Sequence, residues 1–190
     1  MKNLFLCLVF GLMSLTIYAQ KDITSINEIN IYGVDFSKAV VFGATETPED
    51  IINGLDGINP LLHAEASKYN FGKYLKKNVV AYYTQTAQKN NEEIDPDKLF
   101  SNKRENELSQ QDIQSLVNKL ESKSRDKTGV LFIAEVLDKP NKKATYTVVF
   151  FDEETQEIIY SKQVTGRAQG FGIRNYWARS IFEILKRWKY

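Results

Sequence analysis

The stretch of this chain richest in usable chemistry is Gly166–Trp177, GRAQGFGIRNYW. Glycines ahead of a helix let a ligand approach the backbone, and the free amides of a first helical turn attract anions. Arg167 and Arg174 would add charge-assisted hydrogen bonds, Asn175 stands between them and the aromatics, and Tyr176 and Trp177 offer stacking surfaces. The glycine spacing is not that of a dinucleotide fingerprint, and the segment follows a meander of strands instead of opening a strand–helix–strand unit. The same residues also serve a purely structural end, with the glycines making a tight strand-to-helix turn and Trp177 entering the core. Arg174 is out of place by helical angle, sharing a face with Trp177 and Leu185. Either it lies beyond the sheet edge in the first turn, or it pairs with a buried acid, for which Asp35 is the candidate. Asp35, Arg167, Arg174, Asn175, Tyr176 and Trp177 are therefore the candidate binding residues.

Other reactive groups are few. The chain has one histidine, His63, so a Ser–His pair would have to use it and a multi-histidine metal site is ruled out. It sits beside Leu61 and Leu62, where a surface or hydrogen-bonded role is the plainer reading. Glu153 and Glu154 follow Asp152 in a turn between strands, where acids are expected to be solvated. Paired carboxylates could still do acid–base work if two faced each other across a cleft.

Residues 1–19 read as a cleavable secretory signal. Lys2 forms a short positive region, Leu4–Ile17 is almost wholly apolar and uncharged, and Tyr18-Ala19 places a small residue at the cleavage position. The apolar run falls short of the roughly 20 residues a spanning helix needs. The chain's one cysteine, Cys7, lies inside that run, so residues 20–190 are expected to be thiol-free, with no disulfide and no thiolate metal site. Loss of Lys2 takes the 25 basic residues to 24, against 24 acidic, and a neutral balance gives no support for a nucleic-acid partner. No metal, no cofactor and no membrane anchor after cleavage are expected, and the location is periplasmic or secreted.

Within residues 20–190, Asn27–Val34 and Ala39–Gly43 read as strands joined by a turn carrying Asp35, Phe36 and Ser37. Thr47-Pro48-Glu49-Asp50 starts a helix, with Thr47 as cap and Asp50 at the box position. Asn59-Pro60 starts another. Val79–Thr86 reads as a strand, and the polar stretch at about 88–107 as a mobile loop or insertion. Ser109 and Asp112 box a helix with an Ile113, Leu116, Val117, Leu120 stripe. Gly129–Leu137, Lys143–Phe151 and Glu157–Thr165 form a three-strand meander, because connections this short join antiparallel neighbours. At about 100° per residue, Ile173, Trp177, Ile181, Ile184, Leu185 and Trp188 share one sector of a final amphipathic helix.

The last sixty or so residues, with FDEETQEIIYSKQV, a glycine-rich connection and IRNYWARSIFEIL, resemble the α/β domains of bacterial envelope proteins such as the curli secretion lipoprotein, the penicillin-binding-protein activator lipoproteins and the N-terminal domain of the Tol-system β-propeller protein. IYGVDFSKA and GFGIRNYWARS are also similar to segments of small secreted bacterial proteins of unknown function. The resemblance implies an interaction module and no catalytic residues; the mature N-terminus lacks the lipoproteins' lipid-anchor cysteine. The expected fold is a single α/β domain of the α+β type over residues 20–190, a mixed, mainly antiparallel sheet with helices packed on it. The expected function is a non-enzymatic periplasmic or secreted module that binds an envelope protein or component. The alternatives are a small-ligand or anion-binding domain using the glycine-rich loop at 166–177, and a carboxylate-based hydrolase.

Overall fold

The computed structural model describes residues 23–121 and 127–190, so the expected signal segment lies outside the described residues. In chain order the strands are β1 (Glu28–Asp35), β2 (Val40–Phe42), β3 (Asn78–Tyr82), β4 (Phe100–Ser101), β5 (Thr128–Asp138), β6 (Lys143–Asp152) and β7 (Ile158–Arg167). The helices are α1 (Pro48–Asp56), α2 (Ile58–Ala64), α3 (Phe71–Leu75), α4 (Thr84–Asn91), α5 (Pro96–Leu99), α6 (Gln110–Asn118) and α7 (Ile173–Arg187). All seven strands join one mixed sheet. No helix among the described residues is long and apolar enough to cross a membrane.

The uninterrupted apolar run of β5 makes it the central strand, buried along its whole length, as expected where both faces are covered. The meander β5–β6–β7 is antiparallel, as its short turns require. The rest of the sheet corrects the expectation of a mainly antiparallel arrangement. Four of the six pairings are parallel, namely β1 with β3, β1 with β5, β2 with β4 and β2 with β5. Helical crossovers explain this: α1–α3 separate β2 from β3, and α4–α6 separate β3 from β5. The short connection from β1 to β2 is not a hairpin. Both strands run parallel to the same flank of β5, β1 opposite Thr128–Ile133 and β2 opposite Val136–Asp138.

Alternation along β5 sends Val130, Phe132 and Ala134 to one face and Leu131 and Ile133 to the other. The first face carries the larger core, under α1, α2, α3 and α7. On the second face Ile113, Leu116 and Val117 of α6 close over Tyr32, Leu131, Val149 and Phe151, each buried side chain contributing about 1.5–3 kcal/mol. Ser109 and Asp112 form the expected reciprocal capping box at the start of α6. Thr47 caps α1 by accepting from the Asp50 amide at 3.2 Å. On α7 the buried residues are Trp177, Ala178, Ser180, Ile181, Ile184 and Leu185. The helix lies so close to β7 that a Cβ on Gly166 would come within 2.0 Å of the Ser180 carbonyl oxygen.

The polar stretch read as a loop at 88–107 holds the second half of α4, all of α5 and β4, and the strand expected through Thr86 ends at Tyr82. Its polarity has an inward purpose. Beyond Ile31, β1 no longer pairs with β3, and side-chain amides take that strand's place. Asn59 accepts from the Val34 amide at 2.7 Å and donates to the Val34 carbonyl at 2.9 Å. Asn91 accepts from the Phe36 amide at 2.6 Å and donates to the same Val34 carbonyl at 3.2 Å. Buried backbone groups need such partners.

Candidate functional site

The loop from β7 to α7 is built by its glycines. Ala168 is buried, its amide bonded to the Lys142 carbonyl at 2.8 Å, and the Gln169 amide bonds to the Tyr176 carbonyl at 3.2 Å. Gly170 and Gly172 then take positive φ values of 135° and 71°, conformations that favour glycine. Between them Phe171 stands 97% exposed at the loop tip. Beside it a recess of about 330 Å³ is lined by Asp50, Asn53 and Gly54 of α1 and by Phe171, Arg174 and Asn175. Gly172 caps α7 without a side-chain acceptor.

The six residues singled out from sequence fall in three places. Arg174 and Asn175 reach this recess, both exposed, with Arg174 Nε donating to Asn175 Oδ1 at 3.2 Å. The aliphatic stem of Arg174 packs over Gly57, where a Cβ would meet its Cδ at 2.7 Å. This explains a basic residue on an apolar helix face: the stem covers the neighbouring helix junction and the head stays in water. Arg167 is exposed at the end of β7. Tyr176 is half-buried, edge-on to Trp177 at 4.8 Å, with Lys139 Nζ 4.9 Å over its ring. Burial, helped by the Glu46 and Asp138 charges, pushes the Tyr176 phenol above its ordinary pKa. Lys139 also holds Glu46 in an ion pair, which pulls that carboxyl below its usual range.

For Trp177 the core reading holds and the stacking alternative fails, and the pairing of Arg174 with Asp35 is corrected. Trp177 is wholly buried and presents no ring face to a ligand; it is core because its helical angle aims it at the sheet. Arg174 and Asp35 make no ion pair. The Asp35 carboxylate accepts from the Ser37 amide and hydroxyl at 2.8 and 2.6 Å and from Asn90 Nδ2 at 2.7 Å. Its burial pushes the carboxyl above the ordinary range, against the opposing effect of these hydrogen bonds. Asp35 thus belongs to the polar plug at the end of β1, away from the loop chemistry.

His63 is exposed and stacks on Tyr82, ring centroids 5.5 Å apart and planes 2° from parallel. It edges a shallow recess of about 410 Å³ with Asn59, Thr84 and Gln88. Glu153, expected in water, is buried, and both its carboxylate oxygens accept from Asn30 Nδ2, at 3.0 and 3.2 Å. Among the described residues no group of three or more His, Cys, Asp or Glu is placed to hold a metal ion.

Phe171 escaped the sequence reading although it lies inside the motif. The signal was there: an aromatic flanked by glycines, two positions ahead of the helix and so outside its periodicity.

No family model matches the chain, and no curated protein or solved structure matches it either.

Proposed function

We propose that the chain is an exported, non-enzymatic interaction module of the bacterial cell envelope, periplasmic or secreted, that docks a partner protein through the Gly170–Asn175 loop. The observation that carries this reading is Phe171, 97% exposed on a tip held by two positive-φ glycines. A large aromatic ringed by polar groups is the usual make-up of an interface anchor. Here the ring is Asp50, Asn53, Arg174 and Asn175. Burying one phenylalanine on a partner is worth about 1.5–3 kcal/mol, and the polar rim would set its orientation. The export signal at residues 1–19 and the envelope-type resemblance of the last sixty or so residues agree with this role.

The test is differential capture. Immobilised residues 20–190, as wild type and as Phe171→Ala, are exposed to the same envelope extract and the retained proteins identified by mass spectrometry. A partner held by the wild type and lost from Phe171→Ala supports docking through the loop. Identical sets on both would end this reading.

A second reading has its own observation: Gly172 leaves the first-turn amides of α7 without a side-chain cap, which suits an anion. Asp50 on the same recess places a negative charge against one. Calorimetry with phosphate, nucleotides and glycans separates the two. Heat that vanishes in Arg174→Ala favours an anion site, and no heat from any ligand sinks it.

A further inference from the structure

The second face of the sheet is not closed along its whole length. Past α6 it presents a polar cleft of about 510 Å³ roofed by the segment 103–107, within the span of about 300–1,000 Å³ typical of ligand sites. Its floor is built around Glu135. Along β5 and β6, Ala134 faces Tyr146 and Val136 faces Thr145, so Glu135 is the extra residue of a β-bulge. Bulges interrupt the ladder and re-aim a side chain. On the other flank Glu135 falls between the stretch paired with β1, ending at Ile133, and that paired with β2, starting at Val136. Its carbonyl instead accepts from Asn106 Nδ2 at 3.1 Å, and the same nitrogen donates to the Lys38 carbonyl at 2.7 Å. One asparagine thereby holds the roof over the bulge.

The Glu135 residue is 2% exposed and lines this cleft. Its Oε2 accepts from Gln163 Nε2 at 2.7 Å, and its Oε1 accepts from the Thr147 hydroxyl. Both donors are neutral. A carboxylate offers about four acceptor positions, so two remain. Among the described residues no lysine, arginine or histidine comes within ion-pair distance of it. Buried carboxylates ordinarily have a cation beside them. The basic residue of the roof that could serve, Arg104, is engaged elsewhere, 3.7 Å from Asp138 and stacked over Phe42 at 4.7 Å. The roof instead adds two more acids, Glu105 and Glu107, against the one lysine, Lys103.

We propose that this cleft binds a primary ammonium group, with Glu135 as its counter-charge and the Thr145 and Gln163 side chains as its polar walls. The ammonium supplies the missing positive charge and has three donors to offer to the free acceptor positions of the carboxylate. It can come from a small alkylamine or from a lysine side chain of a partner.

The test is a titration of ¹⁵N-labelled residues 20–190, followed by amide chemical shifts, into the millimolar range of each probe. The probes are 1,5-diaminopentane, Nα-acetyl-lysine amide and, as the uncharged control, 1-pentanol. Saturable shifts confined to residues 103–107, 135, 145–147 and 163 are expected with an ammonium probe and not with pentanol. Shifts from the diamine alone assign a free amine; shifts from the lysine amide alone assign a partner's side chain. Glu135→Gln, which keeps the size and an acceptor, is expected to weaken binding about tenfold or more. Equal response to pentanol, no response to either amine, or undiminished binding by Glu135→Gln overturns the proposal. The wild-type comparison of amine with alcohol decides the matter even if the variant folds poorly, and it is independent of the Phe171 loop.

Discussion

The two halves of the sheet solve the same problem with different materials. In the C-terminal half β5, β6 and β7 run for 11, 10 and 10 residues and satisfy one another through long backbone ladders, broken only by single-residue shifts. In the N-terminal half β1 to β4 have 8, 3, 5 and 2 residues, and the gaps between them are filled by asparagine side chains. Backbone pairing is generic, whereas an amide plug depends on particular residues at particular positions. The C-terminal half should therefore lose stability through packing and the N-terminal half through single polar substitutions. It also follows that the places where ladders break, at the end of β1 and at the Glu135 bulge, are where buried polar groups collect.

The largest effect expected is in the C-terminal half. Trp177→Ala removes the largest wholly buried side chain among the described residues and should cost about 3–5 kcal/mol, read as a shift in the urea midpoint. The indole Nε1 has no hydrogen-bond partner among the described residues, so nearly all of that loss is packing. A loss below about 1 kcal/mol would mean that the helix does not seat on the sheet as described. Next, Asn91→Ala strips the Phe36 amide of its acceptor, and an orphaned buried donor costs about 1–3 kcal/mol. Hydrogen exchange sharpens the contrast. Amides of β1 beyond Ile31 should exchange faster in Asn91→Ala, while those of β5–β7 keep their protection. Uniform acceleration across both halves would show that the plug is not a local device.

The contrast also explains which parts were legible. Periodicity is a local property, and it placed β5, β6, β7, α6 and α7 within a residue or two. The caps at Thr47 and Ser109 were readable because a cap acts on amides within one turn. The direction of β1 to β4 was not, since a short connection looks the same whether it reverses the chain or lets it continue along one flank of β5. Nor was the role of Asn90 and Asn91: their polar stretch was read as a mobile loop, and only the missing strand beside Val34 and Phe36 turns them inward. In the candidate site the charged and aromatic residues of Gly166–Trp177 were visible, but rotation about α7 decided their fates. Trp177 went to the core, and the recess drew Arg174 and Asn175 toward Phe171.

A smaller effect tests the plug through its charge. The folded chain holds the Asp35 carboxyl pKa above its ordinary value because burial disfavours the anion. Between the ordinary and the raised pKa the native state binds more protons than the unfolded chain, so stability falls as pH rises through that window. Asp35→Asn has no proton to lose there, and Asn90 can turn its amide over to present an oxygen to the new side chain. The difference in unfolding free energy between variant and wild type should move in favour of the variant as pH rises through and above the ordinary carboxyl range. A difference independent of pH would show that Asp35 is as ionisable folded as unfolded.

The smallest stability effect belongs to the residue with the largest proposed functional one. Phe171 and Trp177 are six positions apart in one motif, yet one is 97% exposed and the other wholly buried. Phe171→Ala removes almost no intramolecular contact, so its unfolding free energy should stay within about 0.5 kcal/mol of wild type. The glycines on either side keep their positive φ values without the ring, which leaves the loop its shape. A loss of partner capture together with unchanged stability then isolates the ring as an intermolecular contact. Destabilisation above about 1 kcal/mol would instead mean that the ring packs against the domain in solution, and the loop could no longer serve as an open anchor. Phe171→Trp, which keeps an aromatic at the tip, should restore capture if a deep partner pocket tolerates the added volume, and Phe171→Leu should restore part of it. A graded order of phenylalanine, leucine, alanine is what apolar burial on a partner requires; equal capture by leucine and alanine would argue against it.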